Sequence, residues 1–217
     1  SDSEKCYIAN LNVLEQDSTG RFCVPAKTLM DSLREIPEQP ITIEVNMNTY
    51  ELRGKHGSGQ FAIMAQNADP YPAPRPVTDG NTLNISAETL LSGINRSLFA
   101  TANDEVRLVM NGIFFDMGTD NVTLVATDSH KLVYYTRNDI KAAEKSTFIL
   151  PKKPAAILRT LLAKSEEVVK VTFDMKNAYF EFDGNMLICR LQEGTYPAYR
   201  SVIPKNNTNK LVINRVS

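Results

Sequence analysis

The groups in this chain that could do covalent or metal chemistry are few: two histidines, three cysteines and carboxylates scattered through 217 residues. His130 stands two residues from Asp128, and such a pair can orient an imidazole for proton transfer. No nucleophile recurs around the two at a known spacing, so the pair alone assembles no catalytic set. His56 sits in Gly54-Lys55-His56-Gly57-Ser58-Gly59, which reads as a solvated hairpin turn. Its three glycines lack the Gly-Lys-Ser/Thr ending of a phosphate loop. Asp116 and Asp120 flank a turn and read as strand terminators rather than magnesium ligands. Cys6, Cys23 and Cys189 are odd in number and contain no Cys-x-x-Cys pair, so neither a disulfide framework nor a zinc site is indicated. Reduced thiols in a cytoplasmic protein are the expectation. No catalytic residue, metal site or cofactor is expected, and the residues point to a binding protein rather than an enzyme.

The unusual residues are basic ones at helix starts. Lys152 and Lys153 fall in the first turn of a predicted helix, where the macrodipole disfavours a cation by a few tenths of a kcal/mol each. Lys27 takes the same place in an earlier helix, and Arg34, Arg96, Arg159 and Lys164 lie on other outer faces. Two readings stand side by side: ordinary solvated helix faces, or successive helices presenting cations to a phosphate backbone. Contacts of the second kind are sequence-independent and salt-sensitive. A net charge of −1 requires any such basic surface to be local. Tyr196 and Tyr199 read as core or linker packing before they read as a site.

These residues are positioned by a unit that repeats. Phe22-Cys23-Val24-Pro25-Ala26-Lys27 returns as Phe148-Ile149-Leu150-Pro151-Lys152-Lys153, an offset of 126 residues. Ser1-Asp2-Ser3-Glu4-Lys5 returns as Thr127-Asp128-Ser129-His130-Lys131, and Tyr71-Pro72-Ala73 as Tyr196-Pro197-Ala198. Leu83-Asn84-Ile85-Ser86 is echoed by Leu211-Val212-Ile213-Asn214. A period this long marks whole domains rather than solenoid turns of roughly 20–50 residues. The expected division is the back of one domain with its linker over 1–76, a complete domain over 77–205, and a linker with the first strand of a third over 206–217. The chain is expected to be a piece of a larger protein.

The complete unit reads as strand, helix and strands, twice over. Ser86 suits an N-cap for a helix Ala87–Phe99, with Leu90, Leu91, Ile94 and Leu98 on one face. Val106–Met117 and Asn121–Arg137 are strand-rich around the turn Gly118-Thr119-Asp120. Pro151 opens a second helix, followed by strands at Val168–Phe173, Ala178–Phe182 and Met186–Gln192. In the first unit Pro25–Ile36 is a helix with Leu29, Met30 and Leu33 inward, and strands follow at Ile41–Asn46, Thr49–Arg53 and Gln60–Ala65. Asn67–Gly80, with Pro70, Pro72, Pro74 and Pro76, is an extended linker, matched later by Asn206–Asn209. The fold class is α+β, each domain placing two helices on one side of antiparallel sheet with internal pseudo-twofold symmetry. Sheet edges at both ends suit such units to join edge to edge.

Three segments carry a resemblance: Val125-Ala126-Thr127-Asp128-Ser129-His130-Lys131-Leu132, Met110-Asn111-Gly112-Ile113-Phe114-Phe115, and Gly194–Pro204. In order and spacing they resemble the middle domain of the bacterial sliding-clamp family, the beta subunit of the replicative DNA polymerase III holoenzyme. The resemblance implies the DNA-clamp fold, three similar domains per chain and a head-to-tail homodimer ring around double-stranded DNA. It implies a non-catalytic processivity factor of the polymerase, cytoplasmic, without a membrane role. Lys27, Arg34, Arg96, Lys152 and Lys153 then fall on DNA-facing helices. The loop Ala102–Val109 matches a segment that can reach DNA, but Asn103, Asp104, Leu108 and Val109 there are neither basic nor aromatic. The family's hydrophobic groove accepts short linear motifs from the polymerase catalytic subunit, the clamp loader and repair proteins. Met110, Thr127, Ser129, His130, Lys131, Leu132, Pro197, Ser201 and Val202 occupy its matching positions. Ser129 stands for a frequent Gly, and Lys131 and Ser201 each for a frequent Arg. Two other readings compete: nucleotidyl transfer by the chain itself, for which no paired carboxylates are found, and a peptide-binding scaffold with no DNA role.

Overall fold

A computed structural model describes residues 4–72, 80–209 and 211–214. In chain order its elements are β1 (Lys5–Ile8), β2 (Phe22–Cys23), α1 (Ala26–Arg34), β3 (Thr42–Asn46), β4 (Glu51–His56), β5 (Gly59–Met64) and β6 (Gln66–Asn67). There follow β7 (Asn81–Ser86), α2 (Ala87–Ser97), β8 (Gly112–Met117), β9 (Val122–Thr127), β10 (Leu132–Arg137) and β11 (Ser146–Pro151). The last are α3 (Lys152–Leu162), β12 (Val168–Phe173), β13 (Asn177–Phe182) and β14 (Asn185–Arg190). They group into two compact units, one within Leu11–Pro74 and one built from Ser1–Asn10 with Arg75–Ser217.

The larger unit holds two antiparallel sheets, β1-β14-β13-β12-β7 and β10-β9-β8-β11. Each half of the unit gives its first strand to the other half's sheet. β7 pairs with β12, and β11 pairs with β8. The registers agree as well: the residue before each helix, Ser86 or Pro151, faces the first residue of its partner strand, Val168 or Gly112. That exchange is the expected pseudo-twofold symmetry. α2 and α3 pack against each other, side by side. Ser86 Oγ accepts the Thr89 N–H at 3.2 Å and caps α2, whereas α3 follows Pro151 with no side-chain cap. In β8, Ile113, Phe115 and Met117 alternate toward the core that Leu90, Ile94 and Leu158 fill. β9 is buried almost throughout, Thr123 included, because both of its faces are covered.

Several expectations are refined. The first helix gives way after Ser97 to a 3-10 turn over Leu98–Ala100. Val106–Met117 is not one strand, since Leu108–Met110 form a 3-10 turn and β8 begins at Gly112. Asp116 lies inside β8, not at its end. Leu211–Asn214 carries no ladder pairing and Leu211 is 82% exposed, as a strand sequence without a partner strand must be. Pro74 and Pro76 of the expected linker lie outside the described residues.

The smaller unit has the sheet β3-β4-β5, the short pair β2-β6, and α1 against β5. Adding 126 to β4 and β5 gives the bounds of β13 and β14. The apolar stripe of α1 is not inward as expected. Leu29 is half-buried, while Met30 and Leu33 are 49% and 37% exposed. α1 is the only helix among this unit's described residues, so nothing there plays the part α2 plays for α3. The hairpin turn is also tighter than Gly54–Gly59, because β4 runs to His56. Gly54 is needed within the strand: a Cβ there would lie 2.2 Å from the Phe61 ring. His56 is half-buried over Gly59 rather than solvated, with its ring 2.5 Å from where a Cβ would stand.

Candidate peptide groove and nucleic-acid face

The face of the β10-β9-β8-β11 sheet that turns away from the helices carries Phe114, Val125, Ile149 and Leu132. The exit segment lies over it. Tyr196 stacks on Phe114 with ring centroids 4.7 Å apart, and Tyr199 meets the same ring edge-on at 6.1 Å. Both tyrosines are buried, so the packing reading of them holds. The Tyr199 hydroxyl donates to Asp116 Oδ2 at 2.5 Å, and Arg200 donates to that oxygen at 3.0 Å. Burial, then the Asp116 carboxylate, pushes the Tyr199 hydroxyl up to about 12. Burial raises Tyr196 to about 12 too.

The turn between β9 and β10 is wired by its own side chains. Asp128 Oδ1 accepts the backbone N–H groups of His130 and Lys131 at 3.0 Å, and its other oxygen pairs with Lys131 Nζ. The Lys131 ammonium, with those two N–H groups, holds the Asp128 carboxyl far below its usual range. Asp128 therefore bonds the backbone of His130, not its imidazole, and the acid–base pairing dissolves. Thr127 Oγ1 donates to the Lys131 carbonyl at 2.7 Å. Ser129 sits at φ 76°, in the left-handed region that glycine adopts without cost. Its hydroxyl is reached by Arg107 at 2.6 Å, and it stands over Met110, with sulfur at 4.0 Å. Arg107 is tied back to Asp104, whose carboxyl falls to about 2 because it accepts the backbone N–H groups of Arg107 and Val106 and then the guanidinium.

Not all nine candidate groove residues converge on one apolar floor. Leu132 joins the Tyr196–Tyr199 cluster and Met110 is buried beneath Ser129. Thr127 and Lys131 spend their polar atoms inside the turn, and His130 is exposed. Pro197, Ser201 and Val202 ride on the exit segment, Val202 being 68% exposed and Ser201 Oγ bonded to the Ala198 carbonyl at 2.7 Å. Phe114, Val109, Ile203 and Arg107 belong to this surface and were not among the candidates. The period-two alternation of β8 placed Phe114 opposite Phe115 and could have found it. Arg107 reaches Ser129 only through the fold.

The basic candidates divide between the units. In the larger, Lys152 and Lys153 line a cleft of about 620 Å³ with Lys5, Arg190, Asn103, Leu108 and the acidic Glu4 and Glu193, the last paired with Arg190 at 3.1 Å. Lys152 Nζ donates to Asn103 Oδ1 at 3.0 Å, which anchors the Ala102–Val109 loop to α3. Neither α1 nor α3 has an acidic residue in its first turn, so dipole and lysines add to one positive end. Arg96 instead lies over the Tyr135 ring, 5.5 Å from its centroid, and donates to Ser92. In the smaller unit Lys27 is exposed and Arg34 sits 3.8 Å from Asp31. Among the described residues no group of three or more His, Cys, Asp or Glu could hold a metal ion.

Comparison with known families places the chain as a whole. The model of the family described as DNA polymerase III beta subunit, central domain, matches residues 84–198, more than half of the chain. The chain belongs to the DNA polymerase III beta-subunit family. The family's N-terminal-domain model matches residues 1–75. The beta sliding clamp of Synechococcus elongatus is 28% identical over 205 residues, which cover 92% of this chain and 54% of that one. The beta sliding clamp of Pseudomonas putida is 25% identical over 214 residues, covering 98% and 58%. The Pseudomonas aeruginosa DNA polymerase III subunit beta superposes with a TM-score of 0.85 at 24% identity, over 94% of this chain and 56% of its own. A sliding clamp from the same organism, bound to griselimycin, gives 0.87 at 23% identity over 95% and 56%. These superpositions establish the DNA-clamp fold, and the chain spans little more than half the length of the relatives it matches. No described helix is long and apolar enough to cross a membrane.

Proposed function

We propose that this chain is part of a processivity clamp, a head-to-tail homodimeric ring that encircles double-stranded DNA and tethers the replicative polymerase. The division into domains at 1–76, 77–205 and 206–217 and the cytoplasmic setting belong to the same proposal. The observation that carries it is the pairing of β1 with β14. Through the repeat, Lys5 corresponds to Lys131 and Ile8 to Tyr134, so β1 is the counterpart of β10. A β10-type strand of one repeat thus extends the β14 sheet of the next, and among the described residues β10 itself is an edge strand of its own sheet. Repeating that one junction from domain to domain builds a continuous outer sheet, which is what a closed ring needs. The lysine-lined cleft at α3 is the surface we assign to phosphates, and the Met110–Leu132–Val202 surface to the motifs of the polymerase, the clamp loader and repair proteins.

The test is topological. Full-length protein, loaded by its clamp loader, should stay on nicked circular DNA and slide off after linearisation; equal retention on both would sink the proposal. The groove is tested separately with Val202→Asp. Val202 is exposed and outside the buried cluster, so the charge should leave the fold intact while abolishing titration of a clamp-binding peptide. Unchanged peptide affinity would put the groove elsewhere.

A further inference from the structure

Met110 is a candidate groove residue, yet at 3% exposed it lies almost out of a partner's reach. Its backbone is fixed from both sides: the Ala102 N–H donates to its carbonyl at 2.8 Å, and its own N–H donates to the Arg107 carbonyl at 3.0 Å. The cover over its sulfur is made of side chains. Ser129 Oγ stands 4.0 Å from that sulfur and accepts from Arg107 Nη1 at 2.6 Å. Arg107 Nε and Nη2 both reach Asp104 Oδ2 at 2.8 Å. A carboxylate, a guanidinium and a hydroxyl thus form a clasp beside Met110.

The loop that carries the clasp has other supports. Asp104 uses its second oxygen, Oδ1, for the Val106 and Arg107 N–H groups. Asn111 exchanges hydrogen bonds of 2.8 and 2.7 Å with the Asp104 backbone, and Lys152 holds Asn103. The guanidinium can therefore swing away while the backbone stays. Ser129 is the strained member, since at φ 76° a serine is held where glycine rests without cost. Strain of this kind persists where the surroundings over-determine it, commonly at a binding site. Here the strained residue is the one that ties Arg107 down next to the Met110 sulfur.

We infer that Arg107, clasped by Asp104 and Ser129, is a lid on the Met110 end of the groove and a determinant of which peptides enter it. The inference rests on the reading of this surface as a peptide groove. An apolar side chain long enough to reach the Met110 thioether, such as leucine, displaces the guanidinium, whereas alanine leaves it in place. The thioether suits that role, because an unbranched and polarisable side chain repacks around different anchors. Only molecules with the lid open accept a long anchor, so it binds more weakly than the uncovered floor would allow.

The first measurement needs no peptide. Full-length protein is treated with dilute hydrogen peroxide, and conversion of each methionine to its sulfoxide is followed by mass spectrometry. Met175, 92% exposed, and Met117, 1% exposed, serve as fast and slow references within the same chain. Wild-type Met110 should oxidise nearly as slowly as Met117. Asp104→Asn keeps an oxygen for the two backbone N–H groups but removes the charge that holds Arg107, and Arg107→Gln removes the guanidinium itself. Either should speed Met110 about three- to tenfold, the equivalent of one hydrogen bond, with Met117 unchanged. Met110 at the wild-type rate in both variants, or Met110 and Met117 rising together, would overturn the inference. The second measurement is a titration with two clamp-binding peptides that differ only in the anchor. Arg107→Gln should bind the leucine-anchored peptide about three- to tenfold tighter and the alanine-anchored one no tighter. Equal gains for both, or none, would remove the lid. Val202→Asp separates that failure from failure of the groove: binding lost in this variant keeps the groove and discards only the lid.

Discussion

The Tyr199 hydroxyl joins two parts of the chain that are 83 residues apart, since it bonds Asp116 in β8 from the exit segment. A hydrogen bond to a charged group is worth about 1.5–3 kcal/mol when buried, and the exposed Arg200 on the same oxygen brings this one toward the lower end. Tyr199→Phe should therefore lower stability by about 1–2 kcal/mol at neutral pH in urea unfolding. The alkaline limb gives an independent check. A hydroxyl whose folded-state pKa is raised contributes stability that is complete below its unfolded value, about 10, and is lost as pH rises through the folded one. Tyr196 and Tyr199 both stand at about 12, so the window is pH 10 to 12. Wild-type stability should fall across that window more steeply than that of Tyr199→Phe. Equal slopes would show that Tyr199 ionises freely in the fold.

At the scale of elements, the approach of α2 to its sheet is set by Gly93. A Cβ at that position would lie 2.8 Å from Leu124 Cδ2 and 3.5 Å from the Tyr135 ring. Glycine in a helix interior costs about 1 kcal/mol relative to alanine, so its presence marks a contact worth at least that much. Gly93→Ala should be close to neutral, because the gain in helix propensity offsets a shift of the flexible Leu124 methyl. Gly93→Val cannot be absorbed in that way and should cost about 1–3 kcal/mol as overpacking. Thermal unfolding of the two variants checks the pair, and a stabilised Gly93→Val would mean that α2 is free to lift from the sheet. The same reasoning accounts for the outward stripe of α1. Leu29, Met30 and Leu33 have the right spacing, but spacing supplies one face and a second helix must supply the other.

For the whole molecule, the proposed ring is tested by how many phosphates its lysines neutralise. Each contact contributes about −0.9 to the slope of log K against log salt on duplex DNA. Replacing Lys152 and Lys153 together by alanine in the full-length protein should flatten that slope by about 1.8 and weaken binding alike on all sequences. Fluorescence anisotropy on two duplexes of unrelated sequence, from low to moderate salt, measures both effects. An unchanged slope would return these lysines to the ordinary solvated helix face that composition alone also allows. Arg96 should contribute less than either lysine, because its guanidinium is already engaged over Tyr135.

By itself the sequence determined the plan of the molecule. A 126-residue repeat, two strand–helix–strands halves and period-two alternation in β8 and β12 are local or periodic facts, and covalent order transmits them directly. The Ser86 cap was a local fact of the same kind, whereas the DNA-clamp fold and the family were implied by a resemblance to known motifs. What tertiary structure alone decided was which partner each surface obtains. Asp128 and His130 are neighbours in sequence, yet the carboxylate closes a backbone turn. Met110 and Arg107 come to Ser129 from about 20 residues away, and β1 leaves its sequence neighbours to pair with β14. Whether an apolar stripe is core or surface was likewise undecided along the chain. α1 and α3 occupy the same place in the repeat, and among the described residues a second helix lies against α3 and not against α1. Burial is a property of what lies opposite, which one-dimensional order does not contain.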